Sequence, residues 1–273
     1  MKILIAVDGK PHSQITLRLG AKVVQLAGSP ATILTVARSK FAHKECSAYL
    51  ARADEYFSKQ DLDVNTDVRT GNPAKEILEE IKTGQYDLVI LGSRRVSEQI
   101  KRLFGSTLDQ VLEKSPCPLL IGKEDVGDLM RILICDSGAG SPPLMERFIS
   151  QLRELVKKET QVTVLHVMSQ MSAGPGVKGW QLRAEAEELI DAHTPEGELL
   201  EHDIDELESF DIHPDVIVRH GWVVEEIIDE AKQGDYGLIV IGAHRSEGWQ
   251  RYLLDDLAHQ IIVAADRPVL VVK

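Results

Sequence analysis

Strand-length segments rich in apolar and β-branched residues recur along the chain, separated by longer amphipathic stretches. In the first half they lie at 3–8, 31–37, 62–69, 87–92 and 118–122. Unbroken runs such as Leu88-Val-Ile-Leu91 fit strands buried on both faces of a parallel sheet. The stretches between them, 11–27, 43–59, 73–83 and 106–114, have helical periodicity. Pro73 near one helix start and Gly84 just past its end follow the asymmetry that helices prefer. Strands alternating with helices predict an open five-stranded parallel sheet with right-handed crossovers.

The pattern occurs twice. Gly71, Glu76, Ile77, Glu80, Lys82, Gly84, Tyr86, Leu88 and Gly92 each recur 150 positions later, and Pro118–Lys123 recurs as Pro268–Lys273. Lys2-Ile-Leu-Ile-Ala-Val-Asp8 resembles Arg131-Ile-Leu-Ile-Cys-Asp136. A repeat this long is a copied domain rather than a solenoid unit. The expected organisation is therefore α/β, with domains at 1–123 and 130–273 joined by the polar link Glu124–Asp128. The second copy is longer between its first and third strands. The acidic run 185–208 within that insertion reads as a solvated helix face and linker, with a metal or partner site as the sharper alternative.

Charge narrows the partners. The 273 residues carry 31 basic and 43 acidic side chains, a formal charge of -12, which disfavours nucleic acid and anionic membrane as partners. Cys46, Cys117 and Cys135 are too few, and wrongly spaced, for a disulfide framework or a zinc site. Cys117 and Cys135 sit in apolar runs and read as buried, inert thiols. The chain opens on a strand-like segment with no basic leader, and no apolar run reaches membrane-spanning length, so cytoplasm is the expected location.

In an open parallel sheet, ligands sit beyond the carboxyl ends of the strands, where the strand order reverses. Those ends are Asp8, Val36 and Gly92. After Gly92 come Arg94, Arg95, Lys101 and Arg102, then Gly105-Ser106-Thr107 opening a helix. Glycines that admit close backbone approach, hydroxyls and a helix N-terminus suit a phosphate, whereas a capped helix behind a solvated basic loop is the plainer reading. Ser137–Ser141 lacks the lysine of a phosphate loop and reads as a turn before a helix. The histidines, among them His12, His166 and His244, show no metal-binding spacing, and Trp222 and Trp249 read as packing residues.

Here the sequence resembles the universal stress protein family. Its ATP-binding members carry G-x2-G-x9-G-[ST] before the last helix and an aspartate ending the first strand. Asp8, Gly92 and Gly105-Ser106 match that pattern at the right spacing. The resemblance implies strand order 3-2-1-4-5, Asp8 on the ribose, and Val36 meeting adenine through its backbone. It also implies Gly92, Gly105, Ser106 and Thr107 along the phosphates, and ATP with Mg as the ligand, with no cofactor strictly required. Family members commonly dimerise through their last strands, so the resemblance further implies that the halves pack as an internal pseudo-dimer; association of two chains stays open.

Two departures stand out. Arg95 occupies the second glycine position, where it either clamps an anion or fills the site. The second half reads Gly242-Ala-His-Arg245 and then Asp255-Asp256 in place of Gly-Ser, a carboxylate where phosphate would lie. Three readings remain. The first is a regulatory protein whose first half binds adenine nucleotide and whose second half is degenerate. The second is an interaction protein that needs no nucleotide. The third is a weak ATPase or other small-ligand hydrolase, for which no general base or metal constellation stands out.

Overall fold

The computed structural model describes residues 1–10, 12–39, 41–93, 107–124, 126–138, 140–169, 179, 181–243 and 249–273. It divides into two compact units, Met1–Val126 and Gly127–Lys273.

The first unit contains β1 (Ile3–Val7), α1 (Ser13–Ala27), β2 (Ala31–Ala37), α2 (His43–Ser58), β3 (Val64–Thr70), α3 (Pro73–Gly84), β4 (Leu88–Gly92), α4 (Thr107–Lys114) and β5 (Leu119–Gly122). Its strands are parallel, in the order β3-β2-β1-β4-β5. Every residue of β1 and β5 is buried, as are Leu88–Leu91 of β4. These strands read as continuous hydrophobic runs because helices cover both faces of such a sheet. By contrast no residue of β3 is fully buried, and five of its seven residues are polar or charged. Helix α1 stops at Gly28, whose left-handed φ of 59° lets its N–H donate to the Val24 carbonyl. At the start of α3 the Asn72 side chain accepts the Lys75 N–H at 3.2 Å, and Pro73 follows it.

One detail differs from the sequence reading. Gly84 is the last residue inside α3 rather than its stop, and Gln85 takes the left-handed position with φ 51°. Gly84 is needed for another reason: a Cβ there would lie 2.2 Å from the Tyr86 ring.

The second unit runs β6 (Arg131–Cys135), α5 (Leu144–Leu152), β7 (Gln161–Met168), α6 (Ala186–Asp191), α7 (Pro195–Glu208), β8 (Asp215–His220), α8 (Val223–Gln233), β9 (Leu238–Gly242), α9 (Trp249–Ala264) and β10 (Val269–Val272). Its parallel order is β8-β7-β6-β9-β10, the same topology. The additional residues lie between β7 and β8 and supply α6. The acidic run is thus not a linker but two capped helices. Glu185 and Glu188 make a capping box on α6, and Thr194 caps α7 by accepting the Gly197 N–H at 3.0 Å. Nor is the run wholly solvated, since Asp203 of α7 is 0 % exposed. Among the described residues no helix is long and apolar enough to cross a membrane.

Candidate functional site

The strand order of the first unit places the switch point between β1 and β4, because the chain proceeds outward from β1 to β3 and then returns to the other side. Asp8 follows β1 directly. Val36 lies half-buried near the end of β2, in register with Arg69, and Gly92 ends β4. Because β2, β1 and β4 are neighbours, their carboxyl ends bring these three positions to one edge. Thr107 is the first residue of α4 and is half-buried. Arg94, Arg95, Gly105 and Ser106, together with Lys101 and Arg102, lie outside the described residues.

Asp8 is held in a fixed orientation. Its Oδ1 accepts the Ser13 hydroxyl at 2.5 Å and the Lys10 N–H at 3.1 Å, and its own N–H donates to Ser13 Oγ at 3.2 Å. Oδ2 meets His12 Nε2 at 3.1 Å, with the Asp8 side chain still 34 % exposed. Beneath it, the fully buried Thr35 hydroxyl and the buried Tyr49 hydroxyl have no hydrogen-bond partner. Buried polar groups are nearly always paired, so these two hydroxyls retain unused hydrogen-bonding capacity. Burial pushes the Tyr49 phenol up, the neighbouring Ser13 hydroxyl opposes that rise, and the charge of Asp8 adds to it. Gly92 has a packing reason as well as any ligand reason, since a Cβ there would lie 2.4 Å from Thr16 Oγ1 of α1.

The corresponding edge of the second unit is built differently. Asp136 follows β6 as Asp8 follows β1, but it is buried, with Oδ1 accepting the Gly138 N–H at 2.7 Å and Oδ2 unpartnered. Where Thr16 approaches Gly92, Arg147 approaches Gly242, its Nη2 3.0 Å from a Cβ built there. That buried guanidinium donates to the carbonyls of Pro142, Ala243 and Val272. The recess beside Asp136 has a volume of about 70 Å³ and is walled by Leu144, Val223, Ile227, Leu257 and Ile261.

Asp203 is strongly perturbed. Its carboxyl is pushed up to about 8, first by burial, then by the charge of Asp136 and then by that of Glu206. Asp136 is also raised, by burial, against the opposing pull of the Gly138 N–H, His166, Arg147 and His202. No sequence signal singled out Asp203 within its acidic run; only the 150-residue offset, which places it opposite Ala53, could have done so.

Two expectations are corrected, those for Trp222 and Cys135. Trp222 is 64 % exposed and packs little, because it stands at the N-cap of α8; the side chain of Trp249, and Trp180 and His244, lie outside the description. Cys117 is buried but Cys135 only half-buried, since it ends β6 at the recess. His166 is a core histidine, its Nδ1 2.9 Å from the Asp136 carbonyl. No group of three or more His, Cys, Asp or Glu side chains among the described residues could hold a metal ion.

Two open parallel α/β sheets in one chain, each with a carboxylate at its switch point, define a tandem protein of the doubly wound α/β class. The sequence matches the universal stress protein family over residues 37–123 and 130–273. The chain belongs to that family. A universal stress protein of Mycolicibacterium smegmatis is 22 % identical over 300 residues, covering 99 % of this chain and 96 % of the relative. Universal stress protein YxiE of Bacillus subtilis is 26 % identical over 143 residues, covering 44 % of this chain and 97 % of its own. In fold, the crystal structure of a universal stress protein from Archaeoglobus fulgidus is similar with a TM-score of 0.71 at 19 % identity, covering 100 % of this chain and 96 % of that one.

Proposed function

We propose that the first unit binds an adenine nucleotide, ATP with Mg being the form the motif suits, and that the protein acts as a regulatory sensor rather than an enzyme. The observation that supports this reading is the state of Asp8. It is an oriented, partly exposed carboxylate at the switch point, above buried hydroxyls of Thr35 and Tyr49 that lack partners. Asp8 would hold the ribose and the Val36 backbone the adenine. Gly92, Gly105, Ser106 and Thr107 would line the phosphates, with Arg94 and Arg95 supplying positive charge. Mg would arrive on the phosphates, as it usually does.

In the second unit the equivalent carboxylate is buried, Arg147 covers Gly242, and the recess beside the carboxylate is walled largely by apolar side chains. We read that half as having lost nucleotide binding. The two halves would associate as an internal pseudo-dimer, which small-angle scattering tests: two beads on a flexible tether would exclude it.

The deciding experiment releases small molecules from the gently purified protein by denaturation and identifies them by mass spectrometry, beside a Gly105→Asp variant that imitates the second half. An adenine nucleotide in the first sample and none in the second is the expected result. If both are empty, and ATP with Mg gives no thermal shift, the interaction-protein reading replaces this one; Arg95 and Asp255-Asp256 are the residues that favour it.

A further inference from the structure

Asp203 stands on α7 at the position where the first unit, 150 residues earlier, has the buried Ala53 of α2. The fold therefore does not demand an acid there. Asp203 is 0 % exposed and neither of its carboxylate oxygens has a hydrogen-bond partner; Asp136 Oδ2 is buried and unpartnered too. An isolated buried carboxylate is strongly disfavoured, and two neighbouring ones repel, so such a pair retains a proton that each would lose in water.

The surroundings offer little relief. From α7 itself come Glu206, which adds negative charge, and His202, whose Nδ1 lies 3.7 Å from Asp203 Oδ1, beyond hydrogen-bond reach. From β7 comes His166, occupied by the Asp136 carbonyl, and from α5 comes Arg147, occupied by three carbonyls. Cys135 of β6 is itself pushed up by burial and then by the charges of Asp136 and Glu230. The acid pair spans an internal joint, because the turn after Asp136 abuts α7: a Cβ on Gly138 would lie 3.1 Å from Leu199, one helical turn before Asp203.

We propose that Asp136 and Asp203 form a buried acid pair of which one member keeps its proton, and that loss of this proton to solvent releases α7 from the turn after β6. The proton acts as the ligand of this site. With it bound, the pair is compatible with an apolar setting. Without it, two carboxylates need water, and parting the helix from the turn is the movement that admits it.

Hydrogen exchange of the full-length protein, followed by mass spectrometry and corrected for intrinsic rates, tests this between about pH 6 and pH 9. The α7 peptide 195–208 should lose protection by about tenfold or more across that range, while the α2 peptide 43–58, which carries Ala53, serves as the internal control. In Asp203→Asn, which keeps the shape and removes the proton site, α7 protection should not change with pH. Asp203→Ala, copying the first unit, should behave alike if the Asn variant folds poorly. Infrared spectra near pH 6 should show a protonated carboxyl band that Asp203→Asn removes. Equal pH dependence of α7 and α2, a fall that persists in both variants, or the lack of that band would each overturn the proposal.

Discussion

Tyr86 donates its hydroxyl to Glu80 Oε1 at 2.6 Å, across the end of α3, while the other oxygen of Glu80 takes the Arg69 guanidinium. The arrangement recurs in the second unit, where Glu230 receives Arg219 through Nε at 2.9 Å and Tyr236 lies 3.5 Å from Glu230 Oε1. Tyr236 also donates its hydroxyl to Thr163, at 2.9 Å. Burial and then the bond to Glu80 push the Tyr86 phenol up to about 12, so it stays a donor at any physiological pH. Part of what the repeat preserves is thus a latch tying the third strand of each unit to the helix that follows it and to the approach to the next strand.

Tyr86→Phe should therefore destabilise the protein by about 1–2 kcal/mol, the range for losing a partly buried hydrogen bond to a charged group that keeps its other partner. Tyr236→Phe should cost less through Glu230, whose contact is longer, and mainly strand the Thr163 hydroxyl. Urea unfolding followed by far-UV circular dichroism checks this; fluorescence would under-report Tyr86, because all three tryptophans lie in the second unit.

Gly84→Ala separates two opposing effects. Helix propensity favours alanine by about 1 kcal/mol. A Cβ at Gly84, however, would sit 2.2 Å from Tyr86 Cε2 and 2.9 Å from Cδ2, against a ring fixed by its bond to Glu80. Overpacking of this kind costs about 1–3 kcal/mol, so a lower melting temperature is expected, and likewise for Gly234→Ala. A rise in either variant would mean that the ring yields freely.

Much of this was legible in the sequence. The element order, the parallel sheets and the strand order followed from hydrophobic runs, helix signals and the family resemblance, because periodicity reports burial directly. The latch was half legible: Glu80 and Tyr86 stood out as repeated, but Arg69 and Arg219, also 150 apart, were masked by polar edge-strand sequence. Asp203 was illegible, since an acid in an acidic helix looks solvated until the packing of α7 against its neighbours is known. Asp136 could be matched to Asp8 by position, yet that Asp8 stays partly exposed while Asp136 is buried is set by packing that the sequence does not display.

The cysteines should react in a definite order. Cys46 on α2 and Cys135 are both half-buried, Cys117 is buried beside Ser115, and the Cys135 thiol is raised by burial and by Asp136 and Glu230. A raised thiol holds less thiolate at a given pH, and thiolate is the nucleophile. Iodoacetamide near pH 8 should label Cys46 first, with Cys135 slower by about tenfold or more and accelerating as pH rises further. Peptide mass spectrometry over a time course reads the order directly; equal rates at Cys46 and Cys135 would show that the Asp136 environment is open to water.

The two switch-point carboxylates should part company in binding. Asp8→Asn keeps an oxygen that can accept the Ser13 hydroxyl and the Lys10 N–H, so the turn after β1 should hold its shape while the charge is lost. If Asp8 holds a ribose, removing a charged acceptor should weaken adenine nucleotide binding by about tenfold or more, the equivalent of about 1.4 kcal/mol. Asp136→Asn should leave that affinity unchanged, because Asp136 is buried and belongs to the unit read above as having lost nucleotide binding. Calorimetric titration with ATP and Mg on both variants separates the cases. A loss confined to Asp8→Asn is the asymmetry that the two units lead us to expect, whereas equal losses would mean that the second unit opens in solution and takes ligand as the first does.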